Sequence, residues 1–167
     1  MTAPHLIATL FGIGRLRPAP GTWGSAAAVA LGVAIDHAFG FPAFALATLA
    51  VIPLGYWAVA RVVAGEADKD PSEIIIDEVA GQWTALLFPA AAFWSRGMED
   101  WALTAWPGWV APFLFFRLFD IWKPGPVGWA DRKGTAGATM TDDLWAGLFA
   151  GIATVAAAGL WHGVMGR

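Results

Sequence analysis

The sequence predicts an all-α membrane protein: a compact bundle of about five helices with its functional site at one face. The chain has 167 residues, which is the usual length of one domain, so we treat 1–167 as a single unit. Hydrophobic residues make up 57% of it and charged residues only 14%, against about 25% charged residues in soluble domains. The mean hydropathy is +0.57. Because a small soluble domain leaves much of its surface in water, lipid is the expected solvent.

Long uncharged runs predict where the helices lie. A helix that spans a bilayer needs about 20 residues. Four runs approach or exceed that length, at residues 38–60, 79–95, 101–116 and 144–166. An earlier run, at residues 18–35, has a helical part that begins near Thr22, and we expect this first helix to be short.

Lysine and arginine counts predict the orientation, because these residues concentrate on the cytoplasmic side. Suppose that the segment around Arg15 and the loops at 61–78 and 117–143 share one side. That side then holds eight of the ten basic residues, and Arg96 and Arg167 lie on the other. The predicted protein is therefore multi-pass, with its acidic loops in the cytoplasm.

Small residues recur four apart in three helices that begin on this side. The series are Gly24/Ala28/Gly32, Gly81/Ala85 and Gly147/Gly151. This spacing allows membrane helices to approach closely. We therefore expect the starts of these helices to converge, which would direct their unpaired N–H groups at one place.

Ten of the 13 acidic residues lie in two stretches, 66–78 and 120–143, that border the uncharged runs. Two adjacent pairs stand at predicted helix starts, where capping would need only one acid each. Neighbours on a helix point about 100° apart, so one member could bind a metal while the other supports it. Carboxylate oxygens are the ligands that Mg²⁺ prefers. The predicted catalytic and metal-binding residues are Asp77, Glu78, Asp120, Asp142 and Asp143.

Basic and small residues near these acids predict phosphate binding. Arg117 and Lys123 each lie three residues from Asp120; arginine suits bidentate phosphate contacts and lysine acts as a point charge. A local salt bridge with Asp120, which contributes little when exposed, is the alternative interpretation. The turn that leads into the first helix is a candidate phosphate-binding site, formed by Gly21, Thr22 and Ser25. Thr22 is also the candidate N-cap of this helix.

The residue types narrow the chemistry. The chain has no cysteine, and its three histidines belong to no recognisable pairing. The motif Asp68-Lys69-Asp70 does not follow an apolar strand, as a nucleophilic Asp-x-Asp motif would. Metal-activated water is the expected nucleophile, and a covalent carboxylate is the less favoured alternative. A net charge of −3 disfavours nucleic acid as a partner.

Two other functions compete with hydrolysis. A divalent-cation transporter would place ionisable groups near the membrane midplane, whereas the four longer runs are nearly uncharged through their middles. A membrane-embedded phosphotransferase of the CDP-alcohol type would begin its motif with Asp-Gly-x₂-Ala-Arg, which this chain lacks.

Four segments, in this order, resemble the phosphatidylglycerophosphatase A family. They are residues 20–25 (PGTWGS), 76–83 (IDEVAGQW), 116–126 (FRLFDIWKPGP) followed by Asp131, and 141–147 (TDDLWAG). The resemblance implies Mg²⁺-dependent hydrolysis of phosphatidylglycerophosphate to phosphatidylglycerol at the inner membrane of a bacterium. It also suggests Asp70 and Asp131 as supporting residues. Oligomeric state does not follow from it.

The orientation can be tested by cysteine labelling, since the chain has no cysteine of its own. Ala64→Cys and Lys133→Cys lie in the predicted cytoplasmic loops and should be protected from a membrane-impermeant maleimide in intact cells. Ser95→Cys lies on the predicted outer side and should be labelled. Lysed cells, in which all three should react, are the control. The reverse pattern would place the acidic loops outside.

Overall fold

The computed structural model of the chain describes residues 2–68, 70–98 and 100–165, with backbone only for 164 and 165. Over these residues all regular structure is helical, as predicted. Five helices are long: α2 (Pro20–Phe39), α3 (Phe41–Val62), α4 (Ile76–Trp94), α6 (Pro107–Trp122) and α8 (Ala136–Met165). Three are short: α1 (Ala3–Ala8), α5 (Trp101–Thr104) and α7 (Pro126–Asp131). The end of the last uncharged run lies outside the described residues. So do Lys69 and Arg167, two of the basic residues from which the orientation was predicted.

Helix α2 is longer than the sequence suggested. It has 20 residues, because Pro20 occupies a first-turn position to which its fixed φ is suited. The helix then runs past residue 35 until Gly40, whose φ of +81° ends it. The N-cap is Ala19, so the prediction that Thr22 caps this helix is wrong.

Helix α8 begins earlier than predicted, at Ala136. Thr135 directly precedes it, and its Oγ1 accepts a hydrogen bond from the Ala138 N–H at 3.2 Å, as a capping side chain does. The Thr141 hydroxyl instead donates to the Gly137 carbonyl at 2.6 Å within the helix. Asp142 and Asp143 therefore lie in the second turn of α8, and the prediction that they stand at its start is wrong.

Helices α4 and α8 cross very closely. A Cβ atom added to Gly147 would meet the Gly81 carbonyl, and one added to Gly81 would lie 2.5 Å from the Asp143 carbonyl. A Cβ atom on Gly151 would meet the Phe88 ring. The predicted close approach through small residues is confirmed here.

Helix α2 packs against α4 on another side. Gly24 lies against Ile75, and Gly32 lies against Trp83. The Trp83 Nε1–H donates to the Ala28 carbonyl at 2.7 Å, which satisfies a buried indole group. Consequently α2, α4 and α8 begin at the same end of the bundle, where α6 ends.

By length and composition, two of the described helices could cross a membrane: Phe41–Val62 and Ala136–Gly163. Only 33% and 28% of their most apolar windows are buried inside the protein. Large apolar side chains point away from it, such as Leu46 at 68% and Leu160 at 70% exposure. Lipid contact would account for these faces; the crossing of a membrane by the other long helices stays a prediction.

The glycine crossing predicts a large effect for a small substitution. Gly147→Ala should force α4 and α8 apart and destabilise the protein by about 1–3 kcal/mol, the usual cost of overpacking. The measurement is the temperature at which monodisperse protein in detergent is half lost.

Gly159→Ala is the matched control, because a Cβ atom there meets nothing within 4 Å. It should be neutral or slightly stabilising, since alanine is the better helix former. Equal midpoints for Gly147→Ala and Gly159→Ala would contradict the tight crossing.

Candidate active site

A polar cavity lies where the starts of α2, α4 and α8 meet the end of α6. Its volume is about 270 Å³. The loop between α3 and α4 closes one side of it. The lining residues are Pro20, Gly21, Asp70, Ser72, Ile74, Asp77, Glu78, Arg117, Asp120, Lys123, Thr139, Asp142 and Asp143.

Three carboxylates form the centre of this cavity. One oxygen from each of Asp77, Glu78 and Asp143 lies within 4.8 Å of the others. Asp77 and Asp143 are only 6% and 4% exposed. The Asp77 Oδ1 accepts the Glu78 backbone N–H at 2.9 Å, which fixes its direction at the start of α4. Buried like charges at this spacing repel one another strongly unless a cation or protons join them.

The cluster fits a hard divalent cation. All its donors are carboxylate oxygens, and Mg²⁺ takes such ligands at about 2.0–2.1 Å, so opposite ligands are about 4 Å apart. The Glu78 Oε2 is buried and has no hydrogen-bond partner among the described residues. An oxygen of this kind is available to a metal ion.

Arg117 joins three helices beside the cluster. Its Nη1 lies 2.8 Å from the Asp120 Oδ2 and 3.9 Å from the Glu78 Oε1, and it donates to the Ser25 Oγ at 3.4 Å. The salt bridge with Asp120 that the alternative interpretation expected does form. Both side chains are only 16% exposed, so it is not the weak surface pair of the alternative interpretation.

Lys123 forms a second charged group at the end of α6. Its backbone has a left-handed φ of 51°, and its Nζ contacts the Asp142 Oδ2 at 3.0 Å and also the Asp131 Oδ1. Burial alone would lower the pKa of Lys123, but the hydrogen bonds and charges of these two acids outweigh it and raise the pKa above its usual value. The side chain is therefore positively charged at neutral pH.

The adjacent acids of α8 have different partners. Asp143 joins the three-carboxylate cluster, whereas Asp142 pairs with Lys123. The second Asp142 oxygen, Oδ1, is buried without a hydrogen-bond partner among the described residues. This difference follows from the angle of about 100° between neighbours on a helix.

Of the two supporting residues predicted from the sequence, Asp70 lines the cavity and Asp131 does not. Asp70 lies on the rim of the cavity, where partial burial raises the pKa of its carboxyl and nearby acids add to this, while Lys123 opposes it. Asp131 lies outside the lining and contacts Lys123. Thus Asp70 faces the cavity directly and Asp131 acts from behind it.

The predicted phosphate cradle on α2 is also divided. Gly21 lines the cavity, and a Cβ atom there would meet the Glu78 Oε1. Ser25 is buried behind it; its hydroxyl donates to the Gly21 carbonyl at 2.9 Å. Thr22 is exposed and outside the lining. The structure thus brings Gly21 to the cavity and leaves Thr22 away from it.

Sequence reasoning missed four lining residues: Pro20, Ser72, Ile74 and Thr139. Ser72 accepts a hydrogen bond from the Arg17 Nη1 at 3.3 Å. Ser72 lies within the acidic stretch 66–78, in which sequence reasoning considered only the carboxylates. Its hydroxyl, five residues before Asp77, was the signal that could have identified it.

The helical fold and this cavity define a class of protein: a helical enzyme whose clustered carboxylates and two cations suit phosphate esters. The family model of phosphatidylglycerophosphatase A matches residues 6–158. The chain belongs to this family, whose members are named as phosphatases.

Curated relatives agree over most of the chain. It is 35% identical to phosphatidylglycerophosphatase A of Haemophilus influenzae (strain ATCC 51907 / DSM 11121 / KW20 / Rd) over 91% of this chain and 86% of the relative. It is 32% identical to the Escherichia coli (strain K12) protein of the same name, over 86% and 77%. A Bacteroides thetaiotaomicron protein provisionally named phosphatidylinositol-3-phosphatase is 34% identical over 87% of each chain. No solved structure matches the chain.

The carboxylate cluster should have two opposite effects. It should destabilise the metal-free protein, and it should provide the ligands through which a metal ion stabilises the protein. In EDTA, Asp143→Asn should unfold at a higher temperature than the wild type, because it removes one of three crowded charges. Adding Mg²⁺ should stabilise the wild type, by about 2.7 kcal/mol at 100 times the dissociation constant. The variant should gain much less.

The control is Asp100→Asn, whose acid is exposed at the other end of the bundle. It should respond to Mg²⁺ like the wild type. Thermal midpoints with EDTA and over a series of Mg²⁺ concentrations give both quantities. An equal Mg²⁺ effect in Asp143→Asn and the wild type would remove Asp143 from the metal site.

Proposed function

We propose that this protein is an Mg²⁺-dependent lipid phosphatase that hydrolyses phosphatidylglycerophosphate to phosphatidylglycerol and phosphate, a step of phospholipid biosynthesis. One observation carries the proposal: three carboxylate oxygens within 4.8 Å of one another share a cavity with Arg117 and Lys123. The family match and the names of two relatives support this substrate.

The roles of the acids follow from their contacts. Asp77, Glu78 and Asp143 would hold Mg²⁺, with Asp120 beside them through its pairing with Arg117. When bound, Mg²⁺ supplies charge neutralisation of the phosphate oxygens and a lowered pKa for a water molecule. Asp142 keeps a partnerless Oδ1 in the same cavity, which is a suitable acceptor for the proton of the attacking water.

The two cations would bind the phosphate being removed. The guanidinium of Arg117 is held in place by Asp120 and Ser25, and the ammonium of Lys123 is held by Asp142 and Asp131. Pre-positioned cations stabilise negative charge that grows in the transition state without having to reorganise. Water would attack phosphorus and pass a proton to Asp142, the bond to the glycerol oxygen would break, and that oxygen would leave with the proton that Asp142 returns.

The lipid would reach the site from the bilayer. We place the protein in the inner membrane of a bacterium, with several spans and the cavity facing the cytoplasm. Helix α6 leads to the cavity and exposes a row of apolar side chains beside Lys123, with Leu118, Ile121 and Trp122 at 51%, 72% and 69% exposure. Acyl chains could lie along this row while the head group enters the cavity.

A cation transporter fits the charge distribution less well. The carboxylate cluster lies at the first turn of α4 and the second turn of α8, near one end of both helices. Transport sites lie near the middle of the membrane. The name of the Bacteroides relative suggests a different lipid head group as the alternative substrate. The assay therefore includes phosphatidylinositol 3-phosphate.

The test is phosphate release from phosphatidylglycerophosphate in mixed micelles. The wild type should be active with Mg²⁺ and inactive in EDTA. Lys123→Met should lower kcat/KM by at least about 10²-fold, including a fall in kcat, since it removes a charge that stabilises the transition state. Its Mg²⁺-induced thermal stabilisation should persist.

Lys133→Met is the matched control, because Lys133 is exposed and lies over the Trp129 ring, 3.5 Å from its centroid. It should keep the wild-type rate. Full turnover by metal-stripped protein would refute the metal-dependent mechanism. Faster hydrolysis of phosphatidylinositol 3-phosphate than of phosphatidylglycerophosphate would refute the proposed substrate.

A further inference from the structure

A second cavity lies at the opposite end of the bundle. Its volume is about 340 Å³, and it is formed where α2 and α4 end and α3 begins. Asp36 in its wall follows Pro20 by 16 residues on α2, which is about 24 Å at the rise of a helix. The two cavities are therefore separate. Side chains in the wall of the second are Asp36, His37, Phe41, Trp94, Met98 and Trp101.

Asp36 is the unusual member of this wall. It is only 6% exposed. Its Oδ2 accepts a hydrogen bond from the Trp101 Nε1 at 2.6 Å, but its Oδ1 is buried without a hydrogen-bond partner among the described residues. A buried carboxylate with an unsatisfied oxygen is costly.

No salt bridge reaches it among the described residues, although the neighbouring His37 attracts its charge. Asp36 is absent from the ion pairs that they form. His37 follows it in sequence and lies in the same wall, but its ring is exposed to solvent. A cation from outside that can donate a hydrogen bond would neutralise this carboxylate and satisfy its second oxygen.

Aromatic rings line the cavity beside this carboxylate, and one of them, Trp101, contacts it. Phe41 stacks on Trp94 with ring centroids 5.2 Å apart, and Phe93 stacks on Trp101 at 5.1 Å. Aromatic faces attract organic cations. A divalent metal ion is a poorer match, because it takes six or more oxygen ligands and the described part of this wall offers one carboxylate.

We propose that this cavity binds a primary ammonium group, whose N–H donates to the Asp36 Oδ1 while its alkyl part packs against the aromatic rings. A quaternary ammonium has no N–H to donate and would leave the Oδ1 unsatisfied. Two sources share this chemistry, an aminoethyl phospholipid head group and a small free amine. The proposal does not depend on the phosphatase activity.

The indole N–H of Trp101 provides the test, because it contacts the other oxygen of the same carboxylate. Protein labelled with ¹⁵N at the tryptophan indole, in amine-free detergent micelles, is titrated with ethanolamine. The Trp101 resonance, assigned with Trp101→Phe, should shift and saturate. Tetramethylammonium should bind at least about 10-fold more weakly.

Two variants separate charge from ring contact. Asp36→Asn keeps an oxygen for the Trp101 N–H but loses the charge, and Trp94→Leu removes a ring that is 56% exposed. Each should weaken ethanolamine binding at least about 10-fold while phosphate release in micelles is unchanged. Trp161→Leu, at 62% exposure and outside the cavity wall, is the control and should bind normally.

Nanodiscs distinguish the two sources. If a lipid supplies the ammonium, phosphatidylethanolamine discs should hold the Trp101 resonance at its ethanolamine-saturated position and phosphatidylcholine discs should not. A shift with free ethanolamine but not with phosphatidylethanolamine identifies a soluble amine. No saturable shift with any primary amine, or equal binding by Asp36→Asn, overturns the proposal.

Discussion

The crossing of α4 and α8 at Gly81 and Gly147 is the constraint on which the active-site cavity depends. Each glycine lies against the backbone of the other helix, so the axes approach as closely as side-chain-free positions allow. Asp77 and Glu78 lie about one turn before Gly81, and Asp143 lies one turn before Gly147. Because these acids share the level of the crossing, helix packing itself brings their oxygens within 4.8 Å.

Packing thus holds charges together that electrostatics would separate. The cavity lining contains six acidic residues and two basic ones, Arg117 and Lys123. A phosphate group would meet a net negative surface there, since both cations already contact acids. The proposed Mg²⁺ would resolve this conflict, because it would neutralise the carboxylates and leave positive charge for the phosphate. In the metal-free protein, repulsion between the crowded carboxylates lowers the stability, and the same charges would attract the proposed cation.

Much of this could be predicted from the sequence, for identifiable reasons. Hydropathy located the long helices, and acids beside uncharged runs predicted the cavity-lining residues. The sequence misplaces the start of α8 because Thr141-Asp142-Asp143 resembles a helix start. The residue that caps the helix is Thr135, which lies six residues before Thr141 and directly follows Gly134. The angle of about 100° between neighbours predicted that Asp142 and Asp143 would have different roles, but the identity of each partner depends on tertiary packing, which no local pattern encodes. The bond between Asp36 and Trp101 joins residues 65 apart, and neither residue belongs to a motif.

Helix α2 connects the two ends of the molecule and is held at both. At its start, Gly21 lies against Glu78 and Ser25 receives a hydrogen bond from Arg117. At its end, Asp36 accepts the Trp101 indole N–H. Between them the helix is fixed to α4 through Gly32 and Trp83. A helix fixed at three levels cannot shift at one end without breaking polar contacts that are partly or fully buried. These contacts hold the wall that α2 gives to the carboxylate cavity, and the missing side chain of Gly21 leaves room there for Glu78.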